Sequence, residues 1–243
     1  MCNIPKTSGS LQFSLFWPSR GNSIILQRAE DVNLIIDDDS LSRQRKEMVK
    51  LLEIRGIKDR MVLEAMGVVE RHLFIPRVRG ILPTRSPYGD HPSPIGYGQT
   101  ISQPFVVAYM LERMMLISGE KVLEVGTGSG YLAAVLDAMS AEVFTIEIVP
   151  GLARHAVGVL NSRVNVLEGD GYSGWLEMAP FDVIIVSCAP EEVPDALVEQ
   201  LGVNGRMILP VGDVSQRLVV LGKRDGEIYT WNDLPVRFVP MVH

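Results

Sequence analysis

The chain has 243 residues, of which 47% are hydrophobic and 21% charged, and its formal net charge at neutral pH is −6. This is the composition of an ordinary globular protein; the acidic balance argues against a nucleic-acid partner, and no apolar run approaches the roughly 20 residues that cross a membrane. Cys2 and Cys188 lie far apart without metal-ligand spacing and no signal peptide is recognised, so we expect a cytoplasmic protein with no membrane partner and no metal.

The first forty residues differ from the rest of the chain. Two short apolar pieces, Leu11–Trp17 and Ser23–Leu26, are surrounded by Gly, Ser, Asn and a run of aspartates. A flexible extension, a small appended hairpin and sequence upstream of the true start all fit this pattern, which does not choose between them. We therefore divide the chain into an N-terminal extension at 1–40 and one domain at 41–243, whose first part, 41–103, is a helical and loop segment.

Helical periodicity begins at Leu41. Ser40, just before it, is of the residue type that caps helix N-termini, and apolar residues recur at helical spacing after it. A second helix is predicted at about Asp59–Glu70. The following stretch, Phe74–Gln103, is rich in Pro, Gly and Ser and is predicted to be a loop. Long loops in compact domains tend to carry function.

Strands and helices alternate through the rest of the chain. Repeating strand–helix units are typical of a parallel sheet with helices on both faces, and the strand–strand pattern at the end indicates an antiparallel edge. The predicted fold class is therefore α/β: a doubly wound, Rossmann-like, mostly parallel sheet. The predicted helices are Pro104–Leu116, Ser129–Met139, Gly151–Leu160 and Val193–Leu201. The predicted strands are Lys121–Val125, Glu142–Ile148, Asn165–Leu167, Asp182–Ser187, Arg206–Pro210, Arg217–Gly222 and Ile228–Trp231.

A glycine-rich segment joins the first of these strands to the following helix. Glycines at three alternate positions let the backbone turn tightly and approach a ligand beside a helix N-terminus. Dinucleotide-binding loops space their glycines as Gly-x-Gly-x-x-Gly, whereas the third glycine here comes one residue earlier. With an acid two residues before the first glycine, the segment resembles that of class I methyltransferases, whose cofactor has no pyrophosphate. It comprises Glu124, Gly126, Thr127, Gly128, Ser129 and Gly130.

Two further acids stand at the ends of the next two predicted strands. Glu147, followed by Ile148, lies about twenty residues beyond the first glycine, where an acid can bind both hydroxyls of a ribose. Asp170 lies between Gly169 and Gly171 after the third strand, where class I methyltransferases contact the adenine amino group. Each acid alone is more often a solvated loop residue, but three at successive strand ends form a much rarer set.

The most specific pattern lies upstream of the glycine loop. From Ile95 to Pro104 the chain reads Ile-Gly-Tyr-Gly-Gln-Thr-Ile-Ser-Gln-Pro. In this pattern the chain resembles the protein-L-isoaspartate O-methyltransferase family. The resemblance runs from about residue 43 to the end and leaves the first forty residues unexplained. Further likeness lies in Val69–Pro76, Phe181–Ile185 and Leu201–Gly212.

The resemblance implies a cofactor, a substrate and a set of site residues. The cofactor is S-adenosyl-L-methionine, with S-adenosyl-L-homocysteine as product, and the substrates are isoaspartyl residues in damaged proteins. Methylation of their α-carboxylate gives an ester that closes to a succinimide and reopens partly to aspartate, which is protein repair. Ser102 matches the active-site serine of the family. The substrate-loop residues are Asp90, Ile95, Gly96, Gln99, Thr100 and Ile101.

A hydroxyl without a general base suits this chemistry. A carboxylate is already ionised at neutral pH, so alignment and exclusion of water can supply the rate. Ser102 could hold the carboxylate without taking a proton, and it also fits as the N-cap of the helix beginning at Pro104; the two roles are compatible. No Gly-x-Ser-x-Gly elbow surrounds Ser102, so it is not a hydrolase serine. Asp90 is a candidate for contacting a substrate backbone amide.

Four other residues are given no part in the chemistry. His72 is expected to pack within the protein, and His91 has no proton transfer to perform. Ser187 and Cys188 stand where the family leads us to expect small residues or Thr and Ala, and the reaction is not expected to depend on them. Cys188 is interpreted as a small buried residue rather than a nucleophile.

Two rival functions follow from the same sequence. A class I methyltransferase could act on nucleic acid or a small molecule, but Ser187–Pro190 lacks the aromatic residue on which base-methylating enzymes stack a flipped base. A non-enzymatic protein could keep the fold and bind partners. The intact set of Ser102, Glu147 and Asp170 argues against that second alternative.

Overall fold

The computed structural model describes residues 38–77 and 85–243. The expectations for residues 1–37, which make up nearly all of the predicted extension, lie outside the described residues. The first helix, α1, spans Asp38–Ile54, so the prediction that Ser40 caps it was wrong. Ser40 lies inside the helix, and its Oγ accepts a hydrogen bond from the side chain of Gln44 at 3.3 Å.

The second helix begins where its sequence predicts. Asp59 is its N-cap, and its carboxylate accepts hydrogen bonds from the N–H groups of Met61 and Val62. This satisfies donors that have no partner within the helix.

No helix of the described residues is long and apolar enough to cross a membrane. The further helices are α2 Arg60–Val68, α3 Pro104–Met114, α4 Tyr131–Ala138, α5 Pro150–Val159 and α6 Asp195–Glu199, with 3-10 turns at Arg71–Phe74, Gly171–Ser173 and Leu176–Met178.

Nine strands form one large sheet and one hairpin in the described part of the chain. The large sheet has seven strands in the order β5-β4-β3-β6-β7-β8-β9. Pairing is parallel from β5 to β7 and antiparallel from β7 to β9, so the predicted fold class is confirmed. The strands are β1 Ser93–Gly96, β2 Gln99–Ile101, β3 Lys121–Val125, β4 Glu142–Glu147, β5 Asn165–Glu168, β6 Phe181–Val186, β7 Leu201–Val211, β8 Gln216–Arg224 and β9 Glu227–Val236.

Successive residues of the central strands pack on opposite faces of the sheet, as strand geometry requires. Val122 and Val183 belong to one hydrophobic cluster, together with side chains of α1 to α5. Leu123 and Ile184, their neighbours in sequence, belong to a second cluster with Leu197 of α6. The sheet is thus covered on both faces, and the carboxyl ends of its parallel strands meet at one edge.

The structure differs from the predicted elements at several places, and the last strand, β9, extends to Val236. The predicted loop Phe74–Gln103 begins at the last residue of a 3-10 turn and contains the hairpin β1–β2, whose strands are too short to show a period. Helix α4 begins two residues later than predicted, because Gly130 before it has a φ of +92°. Helix α6 has only five residues, since the chain at Leu201 already joins β7, which reaches Val211.

Candidate active site

The glycine loop adopts backbone conformations that only glycine accepts without strain. Gly126, Gly128 and Gly130 have φ values of +92°, +56° and +92°, in the left-handed region. The N–H groups of Gly126 and Thr127 both donate to the carbonyl of Ile146, at 2.9 and 3.1 Å. These two hydrogen bonds therefore fix the loop between β3 and α4 to the end of β4.

Glu124 supports the loop from below. Its side chain is 1% exposed, and its Oε2 accepts a hydrogen bond from Thr145 Oγ1 at 2.7 Å. Thr145 Oγ1 lies 2.6 Å from Thr127 Oγ1 in the loop. Burial raises the pKa of Glu124 to about 8, although the Thr145 hydroxyl opposes this change. At neutral pH the carboxyl is therefore mostly protonated and neutral. Through Thr145 it links β3 to β4 and to the glycine loop.

Glu147, at the end of β4, reaches the loop from the side. Its Oε2 accepts a hydrogen bond from Gly128 N at 2.7 Å, and its Oε1 accepts one from Val149 N at 2.9 Å. Burial raises its pKa, and the backbone N–H groups act against that rise. A carboxylate has about four acceptor positions, so acceptor capacity remains for the hydroxyls of a ribose.

Asp170, after β5, already has two partners within the protein. Its Oδ1 accepts a hydrogen bond from Tyr172 N at 2.9 Å, and its Oδ2 lies 2.9 Å from His243 Nδ1. Burial acts to raise the pKa of Asp170, but the contacts with His243 and Tyr172 lower it overall. The His243 ring also stacks on Tyr172, with centroids 4.1 Å apart. The sequence had given no role to His243.

The segment Val239–Val242 forms one wall of a cleft above the loop. Ala189 N donates to Val239 O, and Met241 N donates to Ala189 O, both at 2.8 Å. We call this space the loop cleft. Its other lining residues include Gln99, Gly126, Gly128, Glu147, Ile148 and Gly171. The cleft therefore brings together the ends of β3, β4, β5 and β6 with residues 239–242, which lie more than 90 residues further along the chain than Glu147.

The loop cleft suits S-adenosyl-L-methionine in its polar and apolar groups. Glu147 and Gln99 supply polar groups to its lining, as the hydroxyl and amino groups of the cofactor require. Ile148 and Val149 supply apolar surface beside Glu147, as an adenosine requires. In the described residues no group of His, Cys, Asp and Glu is arranged to hold a metal.

Ser102 lies between the hairpin β1–β2 and helix α3. The N-cap position of α3 is Gln103, which makes no side-chain capping bond, so the prediction that Ser102 caps this helix was wrong. Ser102 is half-buried, and its hydroxyl makes no hydrogen bond to any described residue. The hydroxyl is therefore available to a ligand.

Asp90 performs the capping instead. Its Oδ1 accepts a hydrogen bond from Phe105 N at 2.9 Å, and its Oδ2 accepts one from Gln103 Nε2 at 2.9 Å. The guanidinium of Arg55 forms a third contact with this carboxylate and stacks over the Phe105 ring, 3.6 Å from its centroid. These partners place Asp90 in the support of α3 and occupy three of the about four acceptor positions of its carboxylate; the expected contact with a substrate amide stays a prediction.

Two further spaces open beside Ser102. We call the first the inner cavity; it lies between Ser102 and the glycine loop, and its lining includes Ile101, Glu124, Thr127, Ser129 and Tyr131. We call the second the outer groove; it has a volume of about 550 Å³, and its lining includes Arg55, Phe105 and 234–239. Ser102 lines both spaces, and Thr100 lines both as well as the loop cleft.

The remaining predicted site residues shape the loop and the hairpin. Ile95 reaches the loop, since a Cβ added at Gly128 would lie 3.2 Å from Ile95 Cδ1. Gly96 has a φ of +93° in the hairpin turn, and Gly169 N donates to the carbonyl of Glu147 at 3.0 Å. A Cβ at Gly130 would lie 3.2 Å from the Leu160 side chain. These residues fix backbone positions around the site.

No proton transfer in the reaction is assigned to His72, His91 or Cys188. His72 is buried with Nδ1 2.7 Å from the Tyr88 hydroxyl, as its predicted packing requires. His91 Nδ1 lies 3.1 Å from the carbonyl of Pro92. Burial raises the pKa of Cys188 to about 12, and Glu147 and Glu124 add to this rise, so its thiol is inert at neutral pH.

Comparisons with known proteins agree with this site. The family model for Protein-L-isoaspartate(D-aspartate) O-methyltransferase (PCMT) matches residues 43–243. A protein-L-isoaspartate O-methyltransferase of Gloeobacter violaceus is 52% identical, over 78% of this chain and 94% of that protein. Protein-L-isoaspartate O-methyltransferase 1 of Cupriavidus necator is 40% identical, over 97% of this chain and 98% of that protein.

A solved structure supports the cofactor as well as the fold. The Plasmodium falciparum protein of this name, in complex with S-adenosyl-L-homocysteine, is 28% identical, covers 82% of this chain and 98% of its own, and has a TM-score of 0.71. The predicted enzyme class, an S-adenosyl-L-methionine-dependent methyltransferase, is confirmed by these matches. The chain belongs to the protein-L-isoaspartate (D-aspartate) O-methyltransferase family.

Proposed function

We propose that this chain methylates the α-carboxylate of isoaspartyl residues in damaged polypeptides, with Ser102 holding the carboxylate in front of the methyl donor. The observation that carries the proposal is the position of Ser102. Its unpaired hydroxyl lines both the outer groove and the inner cavity. A group that enters from the groove reaches the glycine loop past this hydroxyl.

The chemistry requires alignment more than proton transfer. Bound S-adenosyl-L-methionine supplies a methyl group on a positively charged sulfur, which keeps the electron pair of the broken bond. A substrate carboxylate is ionised at neutral pH and attacks with a lone pair of its own. Ser102 donates a hydrogen bond to it and keeps its proton. The surrounding walls exclude water, and correct placement can account for several orders of magnitude in rate.

The absence of a nearby base within the described residues supports this assignment. His72 faces Tyr88 in the core, and the His91 ring lies against Pro92. Glu124 lines the inner cavity, but its pKa of about 8 leaves it mostly protonated at neutral pH. A neutral Glu124 does not repel a substrate carboxylate, as an ionised acid at the same place would.

The outer groove suits an extended polypeptide. Its volume lies within the range of ligand sites, and residues 234–239 form one of its walls. Arg237 lines it and supplies positive charge where a substrate carboxylate would enter. Substrate-loop roles for Gln99, Thr100 and Ile101 follow from their positions beside this route.

The proposed cofactor residues divide into two sets. Glu147, Gly126, Gly128, Ile148 and Gly171 line the loop cleft and are proposed to contact the cofactor directly. The others are proposed to shape the site without lining the loop cleft: Glu124, Thr127, Ser129, Gly130, Gly169 and Asp170.

Three further parts of the proposal concern the whole chain. Residues 41–243 form the methyltransferase domain, a division supported by the family match over 43–243. Residues 1–40 are an N-terminal extension. The alignment with the Cupriavidus necator relative covers 97% of this chain and so includes most of this extension. The net charge and the two cysteines support the absence of a nucleic-acid partner and a cytoplasmic location.

A panel of acceptors tests the proposed function. The purified protein is given methyl-labelled S-adenosyl-L-methionine together with an aged protein rich in isoaspartate, with DNA or with RNA. We expect label in the aged protein, in a form that alkali releases as methanol, since esters are hydrolysed by base. Label that enters DNA or RNA, or that resists alkali in the protein, would contradict the proposal. A reaction without the protein serves as the control for non-enzymatic transfer.

A further inference from the structure

Ser187 was expected to have no part in the reaction, but in the structure it lies in the candidate active site. It follows β6, and its N–H donates to the carbonyl of Val125 at 2.8 Å, which fixes the backbone beside the glycine loop. Its side chain lies against the loop, since a Cβ added at Gly126 would be 3.6 Å from Ser187 Cβ. The strand end and the loop therefore hold the residue in a defined position.

Ser187 stands where all three spaces of the site meet. It lines the loop cleft, the inner cavity and the outer groove, a position that it shares with Thr100. Ser102 lines the inner cavity and the outer groove. The two serines therefore flank one passage, and Ser187 is on the side nearer the cofactor.

The Ser187 hydroxyl has no partner within the protein. It makes no hydrogen bond to any of the residues described, 38–77 and 85–243, and the residue is half-buried. A hydroxyl that remains unpaired at a partly closed site is available to a ligand or a water molecule. Thr100, in contrast, is exposed to solvent and can be hydrated without a ligand.

A carboxylate in this passage needs more than one donor. Its two oxygens share one negative charge, and Ser102 offers a single O–H. Once water is excluded, the oxygen without a partner loses its hydration and gains nothing in return. A neutral hydroxyl is the suitable second donor, because it orients the oxygen and leaves its charge in place for the attack.

We propose that Ser187 is a second carboxylate-binding residue, whose hydroxyl donates to the substrate oxygen that attacks the methyl group, while Ser102 holds the other oxygen. The inference rests on the proposed function and deepens it. An oxygen lone pair forms the bond to the methyl carbon, the pair of the broken carbon–sulfur bond stays on sulfur, and no proton moves. The attacking oxygen has two lone pairs, so one accepts from Ser187 and the other reacts.

Two substitutions at Ser187 and one control test the inference. Ser187→Ala removes the hydroxyl, Ser187→Thr keeps it, and Ser215→Ala removes a hydroxyl from the exposed turn between β7 and β8. For each protein, kcat and KM are measured with an isoaspartyl peptide. Calorimetry then measures binding of S-adenosyl-L-homocysteine, and binding of the peptide to that complex.

We expect Ser187→Ala to lower kcat by about 10- to 100-fold, because the attacking oxygen is no longer held in line with the methyl group, and misplacement of a reacting atom can cost this much in rate. Its peptide affinity falls less, because Ser102 still binds the carboxylate, and its affinity for S-adenosyl-L-homocysteine is unchanged. Ser187→Thr recovers most of kcat, and Ser215→Ala equals wild type. In the Ser102→Ala/Ser187→Ala double variant the two losses do not add, because both hydroxyls act on one carboxylate.

Three outcomes would overturn the inference. The first is a Ser187→Ala enzyme with wild-type kcat. The second is a parallel loss of affinity for S-adenosyl-L-homocysteine, which would place Ser187 in the cofactor site. The third is a Ser187→Thr enzyme as slow as Ser187→Ala, which would show that Ser187 acts through its packing and not through its hydroxyl. Wild-type protein that fails to methylate the isoaspartyl peptide would refute the proposed function itself, and the inference with it.

Discussion

Glu147 accepts a hydrogen bond from the backbone N–H of Gly128, with 2.7 Å between Oε2 and N. The contact joins the end of β4 to the middle of the glycine loop. The acid predicted to bind the ribose therefore also holds the loop that surrounds the rest of the cofactor. Cofactor affinity and loop geometry depend on one carboxylate.

Replacing Glu147 with Gln should weaken cofactor binding. One oxygen becomes an NH₂ group, which cannot accept from Gly128 N–H or from a ribose hydroxyl. We expect the Kd for S-adenosyl-L-homocysteine to rise about 10-fold or more, measured by calorimetry. The matched control is Glu168→Gln, an exposed acid at the end of the neighbouring β5, which should bind as wild type. Equal affinity of the Glu147→Gln variant and wild type would remove Glu147 from the cofactor site.

Replacing Ser102 with Ala should affect the reaction and leave the cofactor bound. The variant loses a hydrogen bond to the substrate carboxylate, so kcat/KM for an isoaspartyl peptide should fall about 10- to 100-fold. Steady-state kinetics and calorimetry with S-adenosyl-L-homocysteine measure the two effects separately. A large loss of cofactor affinity would show instead that Ser102 belongs to the cofactor site.

The buried Glu124 predicts a particular dependence of stability on pH. Its pKa in the folded protein, about 8, lies above its ordinary value of 4.5. Between these values the folded state binds more protons than the unfolded state, so the free energy of unfolding falls as pH rises and levels off above about pH 8. One group contributes a slope of at most about 1.4 kcal/mol per pH unit.

The Glu124→Gln variant isolates this contribution. Gln keeps an oxygen that can accept from Thr145 and does not titrate, so the variant should lose less stability than wild type between pH 5.5 and 8.5. Urea unfolding at a series of pH values measures both proteins. Glu147 and Cys188, which also have raised pKa values, are present in both proteins, so most of their contribution cancels in the difference. Identical slopes would show that Glu124 is ionised in the folded state at neutral pH.

Replacing Asp90 should lower the stability of the protein more than its affinity for substrate. Asp90→Ala removes the acceptor for Phe105 N at the start of α3, and loss of a helix cap costs about 1–2 kcal/mol. Asp90→Asn keeps one oxygen and should lose less, as chemical denaturation can show. The capping account fails if Asp90→Ala is as stable as wild type while its KM for the peptide rises, since Asp90 would then contact substrate.

The sequence predicts those parts of the site that depend on local structure. Glycines at Gly126, Gly128 and Gly130 require a turn after a strand, and acids at the ends of consecutive parallel strands must meet at one edge of the sheet. Glu147 is placed by this reasoning alone. Ser102 came instead from the family resemblance, because no local pattern distinguishes a substrate-binding serine from a helix cap.

The parts that escaped prediction depend on contacts between distant segments. Asp90 caps α3 from 15 residues upstream, which no capping pattern describes. His243 approaches Asp170 only because the chain after β9 crosses back to Ala189. Ser187 acquires its position from the meeting of β6, the glycine loop and the hairpin. Each of these requires the tertiary fold, and the short strands β1 and β2 have no period from which to predict it.

One measurement tests the central claim most directly: kcat/KM for methyl transfer to two synthetic peptides that differ only in whether one residue is L-isoaspartyl or L-aspartyl. The isoaspartyl linkage exposes an α-carboxylate beside the main chain, which the passage between Ser102 and Ser187 is proposed to receive. We predict methylation of the isoaspartyl peptide and none of its aspartyl isomer, followed by slow appearance of the aspartyl peptide through the succinimide. Equal methylation of both peptides, or of neither, would contradict the account.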